Sequence, residues 1–171
     1  NIDILSIVVN FVDILGHSRS ESKVLSELIP NDTAYRKAIF NWFSNSWLLE
    51  ALSIMKDWGD IDIIITSDHG NTKINKPITV KGDQFTSMGT RYKYGRNLRV
   101  DTKHVFKISK PEEYNLPMFD INTEYIVAKD YGYFVYRNDY HKYVTMYKDT
   151  FQHGGISMDE MIVPLVHLNP K

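Results

Sequence analysis

The strongest constraint on this chain lies at Ile61-Asp62-Ile63-Ile64-Ile65, which runs directly into Thr66-Ser67-Asp68-His69-Gly70. Four of the five residues in the run are β-branched isoleucines, which predicts a strand buried on both faces, as in a parallel sheet covered by helices. An acid and an imidazole stand where that strand ends. In open α/β sheets, ligands bind outside the carboxyl ends of the strands. Adjacent strand residues point to opposite faces, so Asp68 and His69 reach one site only if the chain bends, and Gly70 permits the bend. Taken alone, Asp-His-Gly reads more often as a turn than as a metal site.

Two further stretches give it company. The chain opens on Asn1-Ile2-Asp3-Ile4-Leu5-Ser6-Ile7-Val8-Val9-Asn10-Phe11, which predicts a second buried strand. A core strand at the very start, with no initiator Met, leads to the expectation that an earlier part of the domain is missing; a processed terminus is the simpler alternative. Asp13 and His17 follow four residues apart. On a helical turn these positions face the same side, so the pair can bind one metal together, while the commoner reading is a helix cap at Asp13 and a loop residue at His17. Near the other end stands Phe151-Gln152-His153-Gly154-Gly155. The glycine pair lets the backbone pass close to something, which makes His153 a site candidate; a plain turn is the alternative.

Between these stretches the periodicity predicts helices over 33–44 and 46–58, started by Asn31-Asp32-Thr33 and ended by Gly59. Strand, helix pair and strand then form a right-handed parallel crossover. Arg19, Glu21 and Lys23 read as a solvated, irregular stretch, and the tryptophans at 42, 47 and 58 as core or cap. Residues 71–100 read as hairpins in a long excursion that extends to 150. Within it, Arg91-Tyr92-Lys93-Tyr94-Gly95-Arg96 interleaves cations with aromatics, a pattern that suits phosphate contact or base stacking and also a solvated hairpin edge. Val105-Phe106-Lys107-Ile108 reads as a strand and Pro111-Glu112-Glu113 as a helix start or turn. A hairpin-like pair is expected across Asp130-Tyr131-Gly132, and an extended piece over 143–147. Ser157 and Glu160 form a capping-box pattern before a final strand over 162–168, which Pro164 confines to an edge or a bulge. His104, His141 and His167 have no acidic partner at ligand spacing and read as structural.

The 171 residues suffice for one domain with one sizeable core. A net charge of -1 excludes a global field drawing the chain to nucleic acid or an anionic membrane, and no apolar stretch reaches membrane-spanning length. The chain has no cysteine, so disulfides and thiolate metal sites are excluded and His and carboxylates remain as ligands. Two aspartates and three imidazoles suit zinc. A pair of such ions about 4 Å apart is the usual clamp for in-line phosphoryl displacement.

The order Asp-x-x-x-His, Asp-His-Gly, His-Gly-Gly resembles the second half of the alkaline phosphatase superfamily, and within it the PglZ domain. Asn10-Phe11-Val12-Asp13, residues 91–98, and above all Phe151-Gln152-His153-Gly154-Gly155-Ile156-Ser157 through Met161-Ile162-Val163-Pro164 are similar to the PglZ effector domain of PorX-type response regulators. The resemblance implies an α/β fold with a mixed, mostly parallel sheet flanked by helices, of which residues 1–171 are the C-terminal portion. It implies a di-zinc phosphodiesterase or phosphatase, cytoplasmic, joined in cis to a receiver domain and serving the type IX secretion system of Bacteroidetes. Asp13, His17 and His153 then match the ligands of one zinc, and Asp68 and His69 two ligands of the second. Arg91, Lys93 and Arg96 are the candidate phosphate contacts. The partners implied are a nucleotide-type phosphodiester and a secretion component, transcription factor or sigma factor, with a homodimer also open. An interaction module with a structural or vestigial metal centre is the competing class. The family's remaining ligand and its Ser or Thr nucleophile match nothing in this sequence, so no catalytic residue is assigned. Residues 1–171 alone should therefore hydrolyse a nitrophenyl phosphodiester with zinc at least ~100-fold more slowly than the intact domain, as loss of one major catalytic group implies. Comparable turnover of the two contradicts the match.

Overall fold

In the computed structural model, residues 3–83 and 86–169 are described. They fall into two compact units, Asn1–Ile63 with His167–Lys171, and Ile64–Val166.

The first unit is helical, with α1 (Phe11–Glu21), α2 (Lys23–Leu28), α3 (Asp32–Ser44) and α4 (Trp47–Met55). Helix starts follow from side-chain caps: the Ser22 hydroxyl accepts from the Leu25 amide, and the Asn31 side chain from that of Ala34. α3 docks on α1 through one buried tyrosine, Tyr35, whose hydroxyl donates to the Val12 carbonyl at 3.0 Å. Gly16 leaves room for that hydroxyl, since a Cβ there would lie 3.2 Å from it. Phe11 stacks on Trp42 with centroids 4.3 Å apart.

Three expectations change in this unit. Residues 4–10 form no strand; Ile4 is 88% and Val8 80% exposed, because no strand among the described residues lies beside them to take up their backbone groups. The expected crossover from that strand is accordingly not formed. The stretch from Arg19 to Lys23 is helical, not irregular, with Ser22 closing α1 and capping α2 in turn. Trp47 and Trp58 are exposed rather than core, whereas Trp42 stacks on Phe11.

In the second unit the strands are short. β1 (Ile63–Thr66), on the boundary between the units, leads to β2 (Thr72–Lys73), β3 (Lys76–Lys81), β4 (Tyr92–Gly95), β5 (Arg99–Val100), β6 (Val105–Ile108), β7 (Glu124–Ala128) and β8 (Gly132–Tyr136). Then come α5 (Tyr140–Tyr147), β9 (Phe151–Gln152), α6 (Met158–Met161) and β10 (Leu165–Leu168). Elements are mixed α and β, but among the described residues the strands form several small sheets rather than one mostly parallel sheet. The strands sort into β1-β10, β2-β9, β5-β3-β8 and β4-β7-β6, with β3 and β8 parallel and β2-β9, β3-β5, β4-β7 and β6-β7 antiparallel. β1 is not buried on both faces: Ile64 is 64% exposed, and β10 is the strand's one ladder partner among the described residues.

The core of this unit is Ile78, Val80, Leu98, Val105, Ile126, Ala128 and Phe134. A second cluster, Ile74, Tyr133 and Val135, is covered by Tyr140, Tyr143, Val144 and Tyr147. Those four residues lie on one face of α5, so the piece expected to be extended is a helix, its apolar residues spaced i, i+3, i+4, i+7. β7 and β8 are not a hairpin either. Both edges of β7 are taken by β4 and β6, and β8 pairs with β3 instead. Among the described residues no helix is long and apolar enough to cross a membrane.

Candidate metal centre

Each unit carries one group of the candidate ligands. In the first, Asp13 and His17 sit one turn apart on α1, as the spacing predicts, with Asp13 Oδ1 3.4 Å from His17 Nε2 and both side chains about half exposed. A carboxylate oxygen and an imidazole nitrogen are thereby offered side by side to solvent.

In the second unit the group forms where β1 ends. The His69 amide donates to Asp68 Oδ1 at 3.1 Å, and Asp68 Oδ2 lies 3.7 Å from His69 Nε2. His69 Nδ1 is 3.0 Å from the Gly70 carbonyl oxygen, which can only accept, so Nδ1 is the donor in this contact and Nε2 is the ring nitrogen turned towards Asp68. Histidines that ligate metals are held in the same way, one ring N–H on a carbonyl and the other nitrogen free. The His69 ring lies on that of His153, centroids 3.9 Å apart and planes within 10°. The short β2-β9 ladder is responsible: Thr72 opposes Gln152 and Lys73 opposes Phe151, which brings the residues just before β2 beside the residue just after β9.

Beneath both loops lies Glu160. Its carboxylate accepts from Arg91 Nε and Nη2 at 2.9 and 2.8 Å, from the Gly155 amide at 2.8 Å, and from the Ser157 amide and hydroxyl at 3.1 and 2.6 Å. Its own carbonyl accepts from the Gly70 amide at 2.9 Å. Glu160 and Arg91 are both buried, and Arg91 also donates to the Gly132 carbonyl. The glycines are required by this closeness. A Cβ at Gly155 would lie 2.6 Å from Glu160 Oε2, and one at Gly70 would lie 2.0 Å from the Asp159 carbonyl oxygen. Gly154 turns with φ +97°. Burial alone would raise the Glu160 pKa. Hydrogen bonds from Arg91 and Ser157, the Arg91 charge and the Gly155 amide outweigh it and bring the pKa down to about 2.

The structure therefore gathers Asp13 with His17 in one unit, and Asp68, His69 and His153 in the other. It does not gather Arg91, Lys93 and Arg96 into a phosphate cluster. Arg91 is spent on Glu160. Lys93 is buried, donating to the Ser87 carbonyl and Tyr136 hydroxyl, and burial lowers its pKa to about 8. Arg96 pairs with Asp83 at 2.9 Å and Asp120 at 3.5 Å. His167 does have an acidic partner, Asp62 at 2.8 Å. Glu160 was legible only as a cap for α6, a role it also fills. Its partner stands 69 residues away and leaves no local signal.

The sequence profile of the BREX system PglZ alkaline phosphatase-like domain matches residues 2–168. The chain belongs to the PglZ family. No curated protein matches it. As a PglZ domain it is of alkaline-phosphatase-like, phosphoesterase type, and that superfamily is usually metal-dependent. The donor set fits such a group: carboxylate oxygens and imidazole nitrogens, one imidazole already oriented by a carbonyl.

In this PglZ domain Glu160→Gln removes one partner of a buried pair and should destabilise the second unit by about 3 kcal/mol, measured by urea unfolding. The sign with pH follows from the lowered pKa of Glu160. Its stabilisation is complete above the usual value of 4.5 and is lost as pH falls towards about 2. Glu160→Gln should flatten that acid limb, and an unchanged limb contradicts the assignment.

Proposed function

We propose that this PglZ domain is the metal-bearing portion of a phosphodiesterase or phosphatase that uses zinc. The supporting observation is the pair of stacked imidazoles, His69 and His153, with His69 Nδ1 on a carbonyl and the Asp68 carboxylate beside Nε2. In this reading Asp13, His17 and His153 hold one ion and Asp68 and His69 help to hold a second. When bound, zinc supplies a Lewis acid for a phosphoryl oxygen and an acidified water. The protein's own part is placement. α1 offers Asp13 and His17 on one face, the Gly70 carbonyl fixes the tautomer of His69, and Glu160 with Arg91 fixes the turn that carries His153.

The finer reading rests on the wording of residues 10–13, 91–98 and 151–163. It makes the domain the effector of a PorX-type response regulator in the cytoplasm, with a receiver in cis, acting on nucleotide-type phosphodiesters in the control of type IX secretion. In that reading no residue of this sequence matches the family's nucleophile or its remaining zinc ligand. The second class is an interaction module that binds a secretion component or transcription factor, for which the first unit offers Ile4, Val8, Phe40, Trp47 and Trp58, each more than half exposed.

Zinc content tests the metal centre on which the catalytic reading depends. Metal analysis of the chain at neutral pH should find zinc, and His153→Ala and Asp13→Ala should each lose it from one site, because two protein ligands are too few. A wild-type chain that holds no zinc contradicts the catalytic reading; zinc held by an intact domain that does not hydrolyse phosphodiesters leaves the interaction module with a structural metal centre.

A further inference from the structure

A row of aromatic rings begins at the His153 turn. Arg91 and Tyr92 grip the two glycines of that turn in sequence. A Cβ at Gly155 would lie 3.0 Å from Arg91 Nε, and one at Gly154 would lie 3.0 Å from Cδ1 of the Tyr92 ring. Gly89 borders the same ring edge, where a Cβ would lie 3.3 Å from it. Tyr92 is thus seated between two bare backbones, one residue from His153, and stays 37% exposed.

From there the row runs along the outer face of β4. Lys93 points inward, so Tyr92 and Tyr94 share the opposite face. Their rings are 6.5 Å apart, and Tyr94 stacks on Phe119 at 4.6 Å. Phe119 is 64% exposed. The row ends in a cavity of about 220 Å³ lined by Tyr94, Gly95, Arg96, Phe119, Asp120 and Thr123. Its polar wall is Arg96, held between Asp83 and Asp120, so the cavity offers donors and acceptors together without excess positive charge. Aromatic faces beside a mixed donor and acceptor edge fit a planar heterocycle; a bare phosphate would find no free cation there, since the one lining cation is already paired with two carboxylates.

We propose that Tyr92, Tyr94 and Phe119 form a subsite for a planar heteroaromatic substituent of the ester, a nucleobase in chemical class, whose phosphate lies at the His153 turn. The assignment rests on the reading of His153 as a metal ligand beside the phosphate. It adds the residues that would recognise the rest of the molecule. Stacking is indifferent to the identity of the base, so the subsite selects for a base and discriminates weakly among bases.

The test is an NMR titration of the full chain with adenosine monophosphate, ribose 5-phosphate and inorganic phosphate. Adenosine monophosphate should bind about tenfold more tightly than ribose 5-phosphate and shift the ring signals of Tyr92, Tyr94 and Phe119. Tyr92→Leu, which keeps apolar contact with Gly154, and Phe119→Ala should each bring the two ligands to within about twofold of each other. Tyr114→Ala, at an exposed tyrosine outside the row, should leave the ratio unchanged. Equal affinity of the two ligands for the wild-type chain, or a ratio that survives both ring substitutions in proteins with unchanged thermal melting, overturns the subsite. Zinc content of the same proteins keeps the two ideas apart. Zinc with no base preference ends the subsite alone; base preference without zinc ends the metal reading and leaves the stacking row standing.

Discussion

The buried ion pair between Arg91 and Glu160 is the interaction on which the second unit's candidate ligands depend. Two charges withdrawn from water are costly, and a pair of this kind is weak evidence for stability by itself. Here the carboxylate accepts five hydrogen bonds. Two guanidinium nitrogens, two backbone amides and a hydroxyl converge on one carboxylate. A network satisfied to this degree specifies one arrangement more sharply than an apolar contact of the same volume, because each alternative leaves a buried charge unpaired. What it specifies is the approach of two loops. The side chain of Glu160 fixes the turn after His153, its carbonyl fixes the turn after His69, and the two imidazoles meet as a consequence.

β4 and the residue just before it show how position decides the fate of a cation. Arg91 and Lys93 both point inward, yet only Arg91 finds a carboxylate. Lys93 makes do with a carbonyl, a phenol and the face of the Tyr136 ring at 4.4 Å, and its pKa falls accordingly. Tyr92 and Tyr94 alternate to the outside. Interleaving read in the sequence as a surface pattern is the alternation of a strand with a charged inner face, and that inner face is structural.

Local features were legible in the sequence where the physics is local. The caps at Asn31 and Ser157, the helical spacing of Asp13 and His17 and the strand at Val105 all follow from neighbours within a turn. The errors came where two local readings compete or where a distant partner decides. Tyrosine and valine favour strands, but Tyr140, Tyr143, Val144 and Tyr147 repeat at helical spacing and pack as a helix against Tyr133. The isoleucine runs look like core, but burial needs layers on both sides, which neither residues 4–10 nor β1 has among the described residues. Of the candidate site, the candidate ligands were visible as motifs, whereas the pair that seats His69 and His153 was not, since Arg91 and Glu160 are joined only by the fold.

Amide hydrogen exchange at Gly70 and Gly155 tests this account most directly. Both N–H groups end on Glu160, one on its carbonyl and one on its carboxylate. In the wild-type chain both should exchange slowly, and Arg91→Met, which touches neither loop's sequence, should speed both together. Fast exchange at Gly155 in the wild type, or acceleration of Gly155 with Gly70 unmoved, would contradict the claim that one buried pair holds His69 and His153 in place.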